Sequence, residues 1–418
     1  MKSATILNLR RGLTGATALL LCCLFSLSAL AAESAPPAAE LTRARQLAHA
    51  TGLAVVATAQ QETTRASLSP RAASLVSRSA EEAWSVDQLL TALDFQPPTT
   101  CLALHHADRR RERTARWREA VRLLSLTHPE ALHRWVLGQE RPPQAALQEA
   151  SSQLRCLIAA MIAASAEPDH GFRLFPRIRD HFGGRVASEH DLARLTDQDP
   201  RWLTRAVSAL LRSDYRDLGS QGFIWYRKMR FTGRTFNKVS TAAGERCGLA
   251  PGQTWKPESP RHQRCWFDEL NGAEREQEII QASAAPGLSR HHWGTEFDIL
   301  GLNPRLFTEE GPLFEAWQWL DGQALDYGFF QPFGHHAELG GFAHMEERWH
   351  WSYYPVAQAL WEHLLEHERT FEPVLHALWT HLERRWGTRQ VHYFDHMRAH
   401  WRDYLFRVEV PALPAALP

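Results

Sequence analysis

Two short stretches concentrate side chains that could do chemistry. The first is SRHHWGTEFD, Ser289 to Asp298, which brings His291, His292, Glu296 and Asp298 close together in sequence. The second is MEERWHWSYYP, Met345 to Pro355, where Glu347 and His350 stand three positions apart. A neutral imidazole and a carboxylate are both good zinc ligands, and a catalytic zinc site keeps one of its four positions open to water. Alternation predicts a strand over TEFDIL, with Glu296 and Asp298 on one face and Phe297 and Ile299 on the other. In a straight strand His291 and Asp298 would point to opposite faces. Trp293-Gly294 must therefore turn the chain if both are to meet one ion, and glycine permits such a turn. These two ligands do not complete a site. The missing groups are expected in EERWHW, where Glu346, Glu347 or His350 could reach a metal and where a Glu and a His could divide the roles of base and ligand. A third stretch, HLLEH from His363 to His367, fits the inverted zinc pattern H-x-x-E-H on a predicted helix. That pattern needs a further acidic ligand well downstream, which the short tail does not supply, and charge patterning on a helix explains it as well.

Taken together, the first two stretches resemble a known family. SRHHWGTEFD fits Ser-x-His-x-x-Gly-x-x-x-Asp and EERWHW fits Glu-x-Trp-His, the two signatures of the D-alanyl-D-alanine carboxypeptidase family of zinc peptidases, VanY-type. WQWLDGQALDYGFFQPF between them looks like the Trp-Leu, Tyr-Gly-Phe segment that this family carries before its second signature. The resemblance spans roughly residues 221 to 355. It implies one Zn2+ ion held by His291, Asp298 and His350, Glu347 as catalytic base, and Ser289 as a substrate-holding residue. It also implies an arginine, from a Ser-Gly-x-Arg-Ser type segment, that contacts a substrate carboxylate or the developing oxyanion. RFTGRTFN nominates Arg234 for that role, although Val239 falls where a Gln is usual, and Arg227 and Arg230 are the alternatives. The residue two before the Asp, usually small, is Glu296 here. The implied activity is hydrolysis of the terminal peptide bond of peptidoglycan stem peptides. The rival readings are an endopeptidase cutting within a stem or cross-link and a non-catalytic wall-binding domain; retention of Glu347 speaks against the latter, because binding alone needs no base.

The elements that must position these residues can be read from periodicity. From Leu41 to Leu211 the sequence is rich in Ala, Leu, Arg and Glu at helical spacing, as in WREAVRLLSL and ALQEASSQLRCLIAAMIAA, with breaks at QPPTT, ERPPQ and AEPDHG. Helical spacing returns after Pro355. The expected fold class is α+β: a small zinc-peptidase domain with a central antiparallel sheet, residues 216–355, between a helical region of unknown function (33–215) and a helical extension (356–418). The basic run ADRRRERTARWREA reads as a solvated helix face. FGHHAELGGFAH, Phe333 to His344, is expected to form a mobile flap over the metal.

Residues 1–32 read as a secretory signal peptide, with a basic start, an apolar run through Leu30 and small residues Ala29 and Ala31 at a cleavage-like position. The mature chain is then expected to be exported, periplasmic or extracellular, with no stable membrane span. Its four remaining cysteines suggest disulfides, and proximity favours Cys247 with Cys265 and Cys101 with Cys156. The 47 basic and 47 acidic side chains leave no net field for a polyanion, which argues against nucleic acid as a partner. Oligomeric state does not follow from these features.

Overall fold

A computed structural model describes residues 70–95, 100–232, 238–334, 346–386 and 393–409. The chain divides into two units, Met1–Ser67 and Leu68–Pro418, and all described residues fall in the second. The expected signal peptide, Arg234 and the flap segment beyond Gly334 lie outside the described residues.

The described residues form an α+β structure in which a small antiparallel sheet is enclosed by helices. Its strands are β1 (Leu211–Ser213), β2 (Glu296–Ile299), β3 (Phe329–Phe330) and β4 (His350–Tyr353), in the spatial order β1-β2-β4-β3. β1 lies upstream of residue 216, so the sheet draws its first strand from the stretch expected to be helical. The β2–β4 register pairs Glu296 with Ser352, Phe297 with Trp351 and Asp298 with His350. The cross-strand partner of the expected acidic ligand is thus the expected histidine ligand. Every residue of β2 and β4 is buried, the polar ones included.

The helices form for local reasons and are held by long-range ones. In the helix Gln144–Ala166, Ala146, Ala150, Leu154, Leu157, Ile158 and Met161 recur every three or four residues and are all buried. The Asp217 side chain accepts from the Ser220 N–H and caps the helix Leu218–Met229. A capping box of Asn271 and Glu274 starts Gly272–Ile280. The helix Tyr354–Glu366 follows β4 directly and packs along Ala107–Thr127, so the helical first half of the unit and the strand bearing His350 share one core.

Two disulfides join Cys101 to Cys156 and Cys247 to Cys265, the pairing that proximity suggested. No helix among the described residues is long and apolar enough to cross a membrane.

Candidate metal centre

His291 sits in a 3-10 turn, Arg290–Trp293, that ends on Gly294 in the left-handed conformation, φ +72°. The turn between His291 and β2 therefore occurs where the two residues require it. A Cβ at position 294 would lie 2.6 Å from Leu147 Cδ2 and 2.8 Å from Pro142 Cγ, so close packing demands glycine as well as backbone conformation. The Trp135 indole donates to the Trp293 carbonyl at 3.1 Å, fixing the turn from the helical side. Asp298 comes from β2 and His350 from β4.

These three side chains converge. Each offers one ligand atom, the atoms lie within 4.8 Å of one another, and all three residues are buried. His291 Nε2 is 3.4 Å from Asp298 Oδ2, and His350 Nδ1 is 3.0 Å from Asp298 Oδ1. Two donors bound to one tetrahedral zinc ion stand roughly 3.3 Å apart, so the donor set fits in chemistry and in spacing. Both imidazoles are also oriented from behind. His291 Nδ1 donates to the Asp214 carbonyl at 2.7 Å, which leaves Nε2 for the centre, and His350 Nε2 is 3.0 Å from Glu296 Oε2. Such partners fix the ring and raise its basicity.

Glu296 is buried, with Thr295 and Ser352 donating to its Oε1 at 3.0 and 2.7 Å and the Arg290 guanidinium ion-paired to it at 3.3 Å. Against the upward push of burial, Arg290 and His350 hold its carboxyl at about 2. Burial likewise raises Asp298, but His291 and His350 outweigh it and keep the carboxyl well below the usual range. Burial would depress His350; the hydrogen bonds and charges of Asp298 and Glu296 instead raise it to about 10. The centre is thus built to hold positive charge.

Glu347 precedes β4 in a turn closed by the His350 N–H donating to the Glu347 carbonyl at 2.9 Å. Its Oε2 is 3.8 Å from His350 Nδ1. Burial is the main cause of its upward shift to about 7, only partly offset by His350, Arg216 and Lys228. Glu346 turns elsewhere, accepting from Arg348 Nε at 2.6 Å.

Ser289 is buried at the start of the 3-10 turn, and its side chain makes no capping bond there. His292, adjacent to His291, is a core residue: its Nδ1 donates to the Arg216 carbonyl at 2.6 Å and its Nε2 accepts from the Gly287 N–H at 3.1 Å. Burial pushes it down to about 4, so it packs as a neutral ring. In the HLLEH stretch, His363 and His367 stack at 4.2 Å and His367 Nδ1 donates to the His363 carbonyl, a pairing within one helix.

Arg227, on the helix Leu218–Met229, and Arg230, the residue capping its C-terminus, are both exposed. Among the described residues an arginine reaches Asp298, namely Arg216, which sequence reasoning missed. One of its Nη atoms is 3.8 Å from Asp298 Oδ2, and the guanidinium donates to Gln221 Oε1 at 2.8 Å and Ser213 Oγ at 2.9 Å. The signal was present in SDYRDLGSQ, with Ser213 three before the arginine and Gln221 five after, the positions at which RFTGRTFN and Val239 depart.

Residues 203–356 match the family model VanY, D-alanyl-D-alanine carboxypeptidase. This stretch contains all four strands, the three converging side chains, Glu347 and Arg216. No curated protein and no solved structure matches the chain.

Proposed function

We propose that the chain is an exported zinc-dependent D-alanyl-D-alanine carboxypeptidase that hydrolyses the terminal peptide bond of peptidoglycan stem peptides. The observation that carries this reading is the convergence of His291, Asp298 and His350 beside a largely buried Glu347, within a stretch matching a family of that activity.

His291, Asp298 and His350 would hold the ion. Zinc bound there supplies a Lewis acid that polarises the scissile carbonyl and makes water a better nucleophile at neutral pH. Glu347 takes the proton of the attacking water and returns it to the leaving amine; a carboxyl raised to about 7 suits both transfers near neutrality. Arg216 takes the role first assigned to Arg234: its guanidinium, held by Gln221 and Ser213, donates to the oxygen on which negative charge grows. Glu296 keeps the His350 ring in place. Ser289, at the entry to the ligand turn, is assigned to substrate binding. The N-terminal segment 1–32 would direct export, which agrees with a substrate outside the cytoplasm.

The test is digestion of purified muropeptides with and without a chelator, products identified by mass. Release of one terminal alanine, abolished by chelation and restored by zinc, is the expected result. Cleavage inside the stem or cross-link would make the protein an endopeptidase. No cleavage by zinc-loaded protein would leave only a wall-binding role.

A further inference from the structure

The helices after the sheet lie outside the stretch that matches the family, yet the chain returns from them to a strip beside the centre. The helix Asp395–Phe406 ends against the helix that follows β4, with Phe406 packed edge-on to Trp361 at 6.1 Å. An ion pair of Arg407 with Asp403 at 3.0 Å ties the exit back to the helix. Two residues further on, the Glu409 N–H donates to the Pro332 carbonyl at 3.1 Å.

Pro332, Phe333 and Gly334 are buried, and this strip touches both an expected ligand and the expected base. The Phe333 ring lies 4.9 Å from that of His350, and the Phe333 carbonyl accepts from the Glu347 N–H at 2.9 Å. The same carbonyl accepts from Gln331 Nε2 at 3.2 Å, and Gln331 Oε1 in turn accepts from Trp317 Nε1 at 3.0 Å. Gly334 lets the tail lie close, since a Cβ there would overlap the Glu409 carboxylate. Two successive carbonyls of the strip are thus taken by the tail and by the N–H of Glu347. Buried backbone carbonyls need such partners, so the strip cannot move relative to Glu347 or to the tail without straining one of these bonds.

We propose that Glu409 is a positioning residue for Glu347: through its N–H it holds residues 332–334, and they hold the base in place beside His350. This rests on the peptidase reading and gives the C-terminal extension a part in it. A base must stand within hydrogen-bond reach of the proton it takes, so a strip that drifts lowers turnover before it affects substrate binding or metal.

The experiment uses the zinc-loaded full chain and a blocked peptide ending in D-Ala-D-Ala, with two readouts: cleavage kinetics and hydrogen exchange at the Glu347 amide. Glu409→Pro removes the donor, whereas Glu409→Gln keeps it. Glu409→Pro should lower kcat roughly 3- to 10-fold with KM and zinc content unchanged, and should speed Glu347 amide exchange by a similar factor, the scale of one backbone hydrogen bond. A chain ending at Val408 loses the same donor without a proline ring and should behave alike. Glu409→Gln should stay close to wild type. A lower melting temperature with kcat and Glu347 exchange unaltered would overturn the assignment, because the tail would then serve folding alone. Equal losses in Glu409→Gln would overturn it as well, since the carboxylate rather than the N–H would be acting, and so would loss of zinc from Glu409→Pro. Absence of cleavage by wild type would remove the peptidase reading, and exchange at Glu347 alone would then show whether the tail holds that residue.

Discussion

At the scale of single residues, the roles proposed for ligand, base and orienting group predict different outcomes for different substitutions. Glu347→Gln should keep stoichiometric zinc and lose about 10²- to 10⁴-fold in single-turnover cleavage, because an amide can hydrogen-bond water but cannot take its proton. His350→Ala should lose both metal and activity. Glu346→Gln should change little, since that carboxylate pairs with Arg348 away from the centre. The informative case is Glu296→Gln. With the carboxylate behind His350 Nε2 replaced by an amide, zinc affinity should fall roughly 10- to 100-fold while the ligand set stays intact, as titration against a competing chelator would measure. Arg216→Lys keeps the charge but not the fork held by Gln221 and Ser213, and kcat should drop about 100-fold.

At the scale of elements, the helical half acts as the mould of the centre. Glu149, on the helix Gln144–Ala166, accepts from Tyr353 Oη at 2.9 Å and Trp117 Nε1 at 3.1 Å within the core and from the part-buried Arg113 Nε at 2.8 Å. Tyr353 ends the strand that begins with His350, so this hub fixes β4 from a distant part of the sequence. Glu149→Ala strands a largely buried Arg113 and should cost about 3–5 kcal/mol in denaturant unfolding. Gly294→Ala forces a Cβ onto Leu147 and Pro142 and onto a positive φ. It should weaken metal binding as well as stability, because the same turn carries His291. The disulfides tether the mould: with separations of 55 and 18 residues, loss of Cys101–Cys156 should cost about 4 kcal/mol and loss of Cys247–Cys265 about 3 kcal/mol.

At the scale of the whole molecule, the C-terminal helices close the far side of the core and bring a pH dependence with them. Glu276 is buried at the start of the helix Asp395–Phe406, where its Oε2 accepts from the Met397 N–H at 2.9 Å. Burial raises its carboxyl to about 8 despite that bond and its neighbours. The folded state therefore holds a proton that the unfolded chain releases near the model-peptide value of 4.5. The stability this contributes is complete below that value and is lost as pH rises through about 8. Thermal unfolding of Glu276→Gln, whose amide stays neutral, should show a flatter decline over that window than wild type. An unchanged slope would place the dependence elsewhere.

What the sequence by itself determined was local: the residue types that could bind a metal, their spacing, the glycine turn between His291 and Asp298, the strand alternation at TEFDIL and the cysteine pairing by proximity. Each depends on neighbours a few residues away, and backbone periodicity converts such spacing directly into direction. The tertiary structure brought Arg216 to Asp298, put Glu296 behind His350, made His292 a core residue and let Glu149 hold β4. Arg216 reaches Asp298 only because β1 pairs with β2, and Glu149 reaches Tyr353 across 204 residues of sequence, where the helix Ala107–Thr127 packs along the helix that follows β4. Those contacts are set by the burial of surfaces far apart in the chain, and no local pattern of residue types encodes which distant surfaces meet.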